Sequence, residues 1–224
     1  MRHPAPHGDG GPSAAARDVT RPRPDHLVTF YEHASYLTAS VRPFLIEGLA
    51  RGETILVVAT AEHRAAFARA VVAGGHDLDH HRRAGRYVEL DATDSLAQLL
   101  PDQGLPPARF DARVARPVTE LARNPRGLRV YGEMAALLWQ QGALDLALEL
   151  EDRWNDLLRR VPMRLFCGQP LSAFDTPTTT ARFHDMCARH TVVTTDSYGS
   201  LSVTGVATDP VVMLDAGAPG GSRN

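Results

Sequence analysis

The pattern of apolar and polar residues from His26 to Leu90 predicts strands and helices in alternation. Short apolar runs at His26–Tyr31 and Thr54–Ala59 predict two strands, and the second run suits a strand that is covered on both faces. Between them, apolar residues at three- and four-residue spacing predict one face of a helix: Leu37, Val41, Phe44, Leu45 and Leu49. Strands that alternate with helices predict βαβ units, right-handed crossovers and a parallel sheet.

The remainder of the chain continues the same alternation. Further strands are predicted at Tyr87–Leu90, Leu128–Tyr131, Met163–Cys167 and Thr191–Thr195. Further helices are predicted at Ala61–Val72, Asp77–Gly85, Asp94–Leu100, Phe110–Leu121 with a kink at Pro117, Met134–Gln140, Leu144–Val161 and Thr180–Arg189. Gly168-Gln169-Pro170 is predicted to end the fifth strand. The predicted fold class is α/β, a three-layer sandwich around a mostly parallel sheet.

The two ends of the chain lack this periodicity. Residues 1–24 are rich in Pro, Gly, Ala and Arg, and we predict a disordered lead-in, with an interaction arm as the alternative. Residues 204–224 are predicted to be a mobile tail with one apolar patch at Val211–Leu214. One folded domain is therefore expected over residues 25–203.

The composition of the chain disfavours several classes of function. A chain of 224 residues with 43% hydrophobic residues can bury the core of one globular domain. Its net charge of −2 predicts no direct binding of nucleic acid or of an anionic membrane. No apolar run approaches the ~20 residues of a bilayer span, and a signal peptide is not expected. Cys167 and Cys187 have no motif spacing, which favours free thiols in a cytoplasmic protein.

The absence of lysine removes several enzyme classes. All 24 basic residues are arginine, so the chain has neither a Walker A lysine nor a lysine for Schiff-base chemistry. It also lacks the G-x-S-x-G, H-E-x-x-H and G-x-G-x-x-G motifs.

Two polar residues interrupt the apolar face of the predicted helix Leu144–Val161. Glu151 and Asn155 are four residues apart and fall on the buried side. A carboxylate directed at a core requires a partner or a ligand. One interpretation is a structural hydrogen bond or an ion pair with an arginine, and the other is a pocket that these residues line with Trp154.

Polar groups also follow three of the predicted strands. The carboxyl ends of parallel strands share one edge, where open α/β sheets bind ligands. The residues that this edge would gather are Tyr31, Glu32, Glu133, Cys167, Gly168 and Gln169.

The histidines offer weaker candidates. His76 and His80 have a spacing that can hold a metal, but a solvated polar helix explains them better. His184 and His190 flank Cys187, and nothing else in the sequence supports a nucleophilic cysteine there. We therefore predict no metal site and no cofactor.

Five ordered motifs between His26 and Ser197 resemble the MEDS domain, the sensory domain named from methanogen and methylotroph regulators. They are H-x-x-x-F-Y-E at His26–Glu32, F-L-x-x-G-L-x-x-G-E at Phe44–Glu53, V-V-A-T-x-x-H at Val57–His63, G-E-M-x-A-L-L-W at Gly132–Trp139 and A-L-E-L-E-x-x-W-N at Ala147–Asn155. The resemblance implies a RecA-like (KaiC-like) fold. The phosphate-loop position is held by Phe30–Ser40, which lacks glycine and lysine, so we predict a fold without ATP hydrolysis.

The resemblance implies a non-catalytic, cytoplasmic sensory domain. It would bind an unidentified small molecule and signal through a separate protein, such as a histidine kinase, a sigma-factor control protein or a transcription factor. The predicted ligand-binding residues are His26, Tyr31, Glu32, Glu133, Glu151, Trp154, Asn155 and Gln169. Two alternatives remain at this stage: a ligand-free scaffold, and an enzyme that uses Glu133 or Glu151 as its acid or base.

Overall fold

A parallel sheet forms the centre of the protein. A computed structural model describes residues 25–100 and 104–195 with their side chains, and residues 211–212 as backbone. The strands are β1 (His26–Tyr31), β2 (Thr54–Ala59), β3 (Tyr87–Asp91), β4 (Leu128–Gly132), β5 (Arg164–Pro170), β6 (Val192–Thr195) and β7 (Val211–Val212). Their order is β3-β2-β4-β5-β1-β6-β7, and every neighbouring pair is parallel.

Helices cover both faces of this sheet. One face carries α1 (Ala34–Ala50), α2 (Ala61–Ala73) and α3 (Leu78–Arg83). The other face carries α4 (Ala92–Leu99), α5 (Pro107–Phe110), a π-helical turn (Asp111–Ala115), α6 (Arg116–Leu121), α7 (Met134–Gln140), α8 (Leu144–Leu158), a 3₁₀ turn (Leu171–Phe174) and α9 (Pro177–Cys187). The predicted α/β sandwich of three layers is confirmed.

The strands bury both faces because two separate cores lie against them. In β2, Leu56 and Val58 join the core under α4–α9, whereas Ile55 and Val57 join the core under α1–α3. This division explains the unbroken apolar run at β2. Among the described residues, no helix is long and apolar enough to span a membrane.

The prediction for the end of β5 was wrong. The strand continues through Gly168 and Gln169 to Pro170, because these residues pair with the second half of β1. The pairing of β5 with β4 stops at Cys167. Pro170 therefore lies beyond the part of β5 that pairs with β4, where a proline is tolerated. Gly168 is required for space, since a Cβ there would lie 2.3 Å from the hydroxyl of Tyr131.

Two prolines lie inside helical segments. Helix α1 runs past Pro43 to Ala50. The kink predicted at Pro117 coincides with the π-helical turn Asp111–Ala115, which ends just before this proline. The predicted tails at residues 1–24 and 204–224 lie outside the described residues, except for the two residues of β7.

A buried arginine organises the edge of the sheet at which β4 begins. Arg129 is 1% exposed, and its guanidinium donates to the carboxylate of Glu53, to Glu47 Oε2 (3.1 Å) and to the carbonyl oxygen of Phe44 (2.9 Å). Gly48 leaves room for it, because a Cβ there would lie 2.8 Å from Arg129 Cδ. Within the G-L-x-x-G-E motif, Gly48 thus leaves room for Arg129 and Glu53 pairs with it.

The chain path creates a topological switch point at the carboxyl edge, which we call the cleft between β2 and β4. The connections that follow β1 and β2 run toward β3 over one face, and those that follow β3, β4 and β5 run toward β6 over the other. The connections diverge between β2 and β4, whereas those of β1 and β5 cross on opposite faces of the sheet. Ligands of open α/β sheets bind where neighbouring strands send their connections apart in this way.

Candidate functional site

The cleft between β2 and β4 contains a buried carboxylate. Glu133 follows β4 directly and is 3% exposed. It accepts hydrogen bonds from the hydroxyl of Tyr131 (2.8 Å) and from the backbone N–H of Thr60 (2.9 Å). The Nδ1 atom of His63 lies 2.5 Å from Glu133 Oε1. We call Tyr131, Glu133 and His63 the edge network.

The start of α2 positions half of the edge network. Thr60 caps this helix, since its hydroxyl accepts a hydrogen bond from the backbone N–H of His63 (3.4 Å). The N-terminus of α2 therefore faces the carboxylate of Glu133, and the helix dipole favours a negative charge there. A hydrogen bond from Glu133 N to Val58 O (3.1 Å) extends the β2–β4 pairing. It brings the end of β4 close to the start of α2.

The edge network holds a proton close to the surface. Burial alone would lower the pKa of His63, but the hydrogen bond and the charge of Glu133 outweigh burial and raise it above 6.5. Burial and the neighbouring carboxylate raise the pKa of Tyr131 well above its usual range, so its phenol stays protonated. The arrangement favours a protonated imidazole beside the carboxylate, supported by a neutral phenol.

Aromatic rings enclose this proton. Tyr31, at the end of β1, meets the imidazole of His63 edge-on at 5.9 Å between ring centroids. Phe67 stacks on His63 and contacts Tyr131. Tyr31 is half-buried, and its pKa is raised by burial and by the carboxylates of Glu133 and Glu62. A neutral, half-buried phenol therefore lies beside the network.

The connection between β1 and α1 is very short. Only Glu32 and His33 separate the strand from the helix. A phosphate cradle uses a longer glycine-rich loop whose backbone N–H groups converge on the anion. The segment Phe30–Ser40 has neither this loop nor a lysine.

The predicted ligand-binding residues do not all meet at the carboxyl edge. Tyr31 and Glu133 lie together there, and Glu32 follows β1 as an exposed residue. Gln169 is near the same edge but faces the opposite layer, where its Nε2 atom lies 4.0 Å from the sulfur of Met186. Tyr31 and Gln169 therefore belong to different faces of the sheet.

Three other predicted residues form a separate cluster at the start of β1. The Nε2 atom of His26 lies 3.3 Å from Glu151 Oε2, and its Nδ1 atom lies 3.0 Å from Asn155 Oδ1. The amide of Asn155 also donates to the carbonyl oxygen of Arg189 (3.0 Å). His26 and Tyr31 are five residues apart in one strand, or about 16 Å at the usual rise, and their side chains face opposite layers.

Glu151 has the internal partner that its structural interpretation requires, but this partner is not an arginine. Its contacts are the imidazoles of His26 and His190 (3.8 Å from His190 Nε2), rather than the arginine that we considered. Trp154 does not line a pocket with it, because the indole is buried in the core and packs edge-on against Phe110 at 5.9 Å. Asn155 has the internal hydrogen bonds that a structural role requires.

Several residues of these clusters were not predicted as site residues. His63 was noted only as part of a motif, and Tyr131 and Thr60 had no distinguishing pattern. The strand order, which makes β2 and β4 neighbours, was the missing information. His190 was considered beside Cys187, but burial raises the pKa of Cys187 to about 12, so that thiol is not an activated nucleophile.

The histidine and the glutamate of the edge network both come from recognisable motifs. V-V-A-T-x-x-H ends at His63, and G-E-M-x-A-L-L-W begins one residue before Glu133. A sequence profile of the family described as MEthanogen/methylotroph, DcmR Sensory domain matches residues 25–190, which is more than half of the chain. The chain belongs to the MEDS family. MEDS domains are sensory domains, and the predicted resemblance is confirmed.

The search of curated proteins gave no significant match to this MEDS domain. The match to the family spans β1 through α9 and ends at His190. It includes both the edge network and the cluster around Glu151.

Proposed function

We propose that this MEDS domain is a non-catalytic sensory module that binds a small organic molecule at the carboxyl edge of its sheet. The bound state would be transmitted to a separate regulatory protein in the cytoplasm. The observation that carries the proposal is the edge network, in which Glu133 and His63 share a proton at the cleft between β2 and β4.

The cost of the edge network supports a role beyond packing. A buried carboxylate is unfavourable unless it is paired and hydrogen-bonded, and Glu133 takes three partners to meet this requirement. Perturbed titratable groups in clefts are enriched at functional sites. The network also lies at a position where open α/β sheets bind ligands.

The chemistry of the cleft favours a compact, largely apolar ligand with one polar group. The rings of Tyr31 and Phe67 supply apolar surface, and the phenol of Tyr31 and the imidazole of His63 supply polar contacts. A nucleoside triphosphate is disfavoured, since the chain has no lysine and only two residues connect β1 to α1.

Helix α7 offers a route from the site to the rest of the domain. It begins immediately after Glu133 and ends before Gly142, whose positive φ of 76° turns the chain into α8. A recess of about 400 Å³ borders this turn. We propose that ligand binding shifts α7 and the start of α1. Such a shift requires a ligand that prefers one of the two conformations.

A ligand-free scaffold is the second candidate. It is favoured by Asn155, whose side chain is engaged by His26 and Arg189 within the protein. An enzyme that uses Glu133 or Glu151 as its acid or base is the third. Turnover of a bound compound would distinguish it from a sensor.

A ligand screen tests the proposal. Thermal-shift and native mass-spectrometry screens would compare small organic acids, halogenated and apolar metabolites, and nucleotides with Mg²⁺. A ligand of the edge network should stabilise the wild type and Tyr87→Phe but bind Tyr31→Phe at least several-fold more weakly. Tyr87 is a matched control because its buried hydroxyl lies on β3. Stabilisation by ATP with Mg²⁺ would overturn our view of the β1–α1 connection, and a screen without any binder would favour the scaffold.

A further inference from the structure

Four buried side chains with metal-binding atoms meet beneath α8. They are His26 on β1, Glu151 on α8, Cys167 on β5 and His190 in the turn that precedes β6. Their ligand atoms all lie within 4.8 Å of one another, and each side chain is at most 4% exposed. Among the described residues, this is the group whose geometry suits a metal ion. We call it the inner cluster.

The hydrogen bonds of the two imidazoles direct their Nε2 atoms into the cluster. His190 Nδ1 lies 2.8 Å from the carbonyl oxygen of Met186, which can only accept, so Nδ1 carries the proton. The amide nitrogen of Asn155 donates to a carbonyl, which leaves its Oδ1 to accept a proton from His26 Nδ1. In a neutral imidazole the remaining nitrogen is then a lone-pair donor.

Hydrogen bonds among the described residues leave two polar atoms of the inner cluster without partners. Glu151 Oε2 lies 3.3 Å from His26 Nε2. Glu151 Oε1 and His190 Nε2 are nevertheless buried without a hydrogen-bond partner in the described part of the chain. Buried polar atoms without partners are costly and uncommon in native proteins. His190 Nε2 borders the space between the four side chains, 3.8 Å from Glu151 Oε2.

We propose that the inner cluster binds a structural Zn²⁺ ion. Two imidazole nitrogens, one thiolate and one carboxylate form a donor set that suits zinc. A tetrahedron with bonds of about 2.0–2.3 Å has edges of about 3.3–3.8 Å. Four of the six separations are 3.3 Å from His26 Nε2 to Glu151 Oε2, 3.5 Å from His26 Nε2 to Cys167 Sγ, 3.8 Å from His190 Nε2 to Glu151 Oε2 and 3.9 Å from Cys167 Sγ to Glu151 Oε2. All six lie within 4.8 Å, so a bound ion would draw the ligands slightly closer together.

The charges also balance. Zinc replaces the thiol proton of Cys167, and this proton leaves to the solvent buffer. A thiolate, a carboxylate and one divalent ion sum to zero, which avoids an isolated charge in the core. Four protein ligands leave no open position, so the site is structural rather than catalytic.

The hydrogen-bond acceptors of the two Nδ1 atoms would then orient the imidazoles for metal binding. Metal-bound histidines usually donate their second N–H to a carbonyl or a carboxylate, which fixes the ring and its tautomer. Asn155 Oδ1 accepts this hydrogen bond from His26, and the carbonyl oxygen of Met186 accepts it from His190. Asn155 is therefore a positioning residue. The inner cluster lies apart from the edge network, and the zinc inference stands independently of the proposed function.

Metal analysis of the full chain tests the site. The wild type, Cys167→Ser, Cys167→Ala, His190→Gln and the control Cys187→Ser would be produced with added zinc and analysed for metal after gel filtration. Cys187 is a second buried free cysteine outside the cluster. One zinc per chain is expected in the wild type and in Cys187→Ser, with loss in the other three. Absence of stoichiometric zinc from the wild type, or full retention in both Cys167 variants, would overturn the proposal.

Cobalt provides a readout that misfolding does not imitate. Protein refolded with Co²⁺ should show the visible bands of tetrahedral cobalt and a thiolate-to-cobalt charge-transfer band, and Mg²⁺ should give neither. Asn155→Ala should keep both bands but bind about 10–100-fold more weakly. Circular dichroism verifies folding of each variant. An octahedral cobalt spectrum, or unchanged affinity in Asn155→Ala, would contradict the assigned geometry.

Discussion

The Nδ1 atom of His63 lies 2.5 Å from Glu133 Oε1, although the residues are 70 positions apart in the chain. The contact joins the start of α2 to the end of β4 and thus spans the cleft between β2 and β4. Any molecule that enters this cleft changes the surroundings of the shared proton. The pair is consequently both a structural link and a probe of the site.

Replacing Glu133 with Gln should destabilise the domain. The substitution retains the shape but removes the charge that pairs with His63 and accepts the Tyr131 hydroxyl hydrogen bond. Hydrogen bonds to charged groups contribute about 1.5–3 kcal/mol, and a loss of that size is expected in urea unfolding. Glu120→Gln is the control, since this glutamate is 63% exposed. Equal effects of the two variants would show that the edge network adds nothing to stability.

Stability should depend on pH through His63. Its pKa is raised from 6.5 in the folded protein by the partners named above, chiefly Glu133, with a further contribution from Glu62. A raised pKa stabilises the fold fully below about pH 6.5 and loses this contribution as the pH rises through the folded value. The free energy of unfolding of the wild type should therefore fall over that range relative to His63→Gln. An NMR titration of His63 with a midpoint at or below 6.5 would contradict this prediction.

The buried ion pair of Arg129 should behave non-additively. Glu53→Met leaves a buried guanidinium with fewer partners, and loss of one member of such a pair costs about 3–5 kcal/mol. The double variant Arg129→Met/Glu53→Met removes both charges and should recover much of that loss. Arg123→Met, in an exposed pair with Glu120, should cost less than about 1 kcal/mol. A double variant as unstable as the sum of its single variants would contradict the expectation.

Gly168→Ala should disturb the edge network from beneath. The new Cβ would lie 2.3 Å from the hydroxyl of Tyr131, which donates to Glu133. Overpacking of this kind costs about 1–3 kcal/mol. Gly132→Ala is the matched control, because nothing lies within 4 Å of its added Cβ. Adding Tyr131→Phe should relieve part of the clash, and thermal unfolding of the four proteins measures both effects.

The spacing of apolar residues predicted most of the strands and helices, because buried strands and amphipathic helices have different repeats. The predicted bounds of β1 and β2 agree with the structure. The errors have local causes. The end of β5 was misplaced because Gly168 and Pro170 usually terminate strands. Helix α9 begins at Pro177 rather than at the predicted Thr180, because Thr176 and Thr179 form a capping box at its N-terminus.

The candidate sites were only partly predictable, since they depend on which strands are neighbours. Glu133 was recognised as a polar residue that ends a buried strand, but its partner His63 follows a strand whose position in the sheet the sequence does not reveal. Glu151 was recognised as an acidic residue on an apolar face. Its companions Cys167 and His190 were considered separately because no short spacing connects them.

Strand β1 supports the inner cluster through His26 at one end and the edge network through Tyr31 at the other, on opposite faces. Side chains alternate along a strand, so a single-residue insertion between them would turn one of the two toward the wrong layer. A two-residue insertion would preserve the faces while lengthening the span by about 7 Å. The six-residue length of β1 thus sets the distance between the two clusters in this domain.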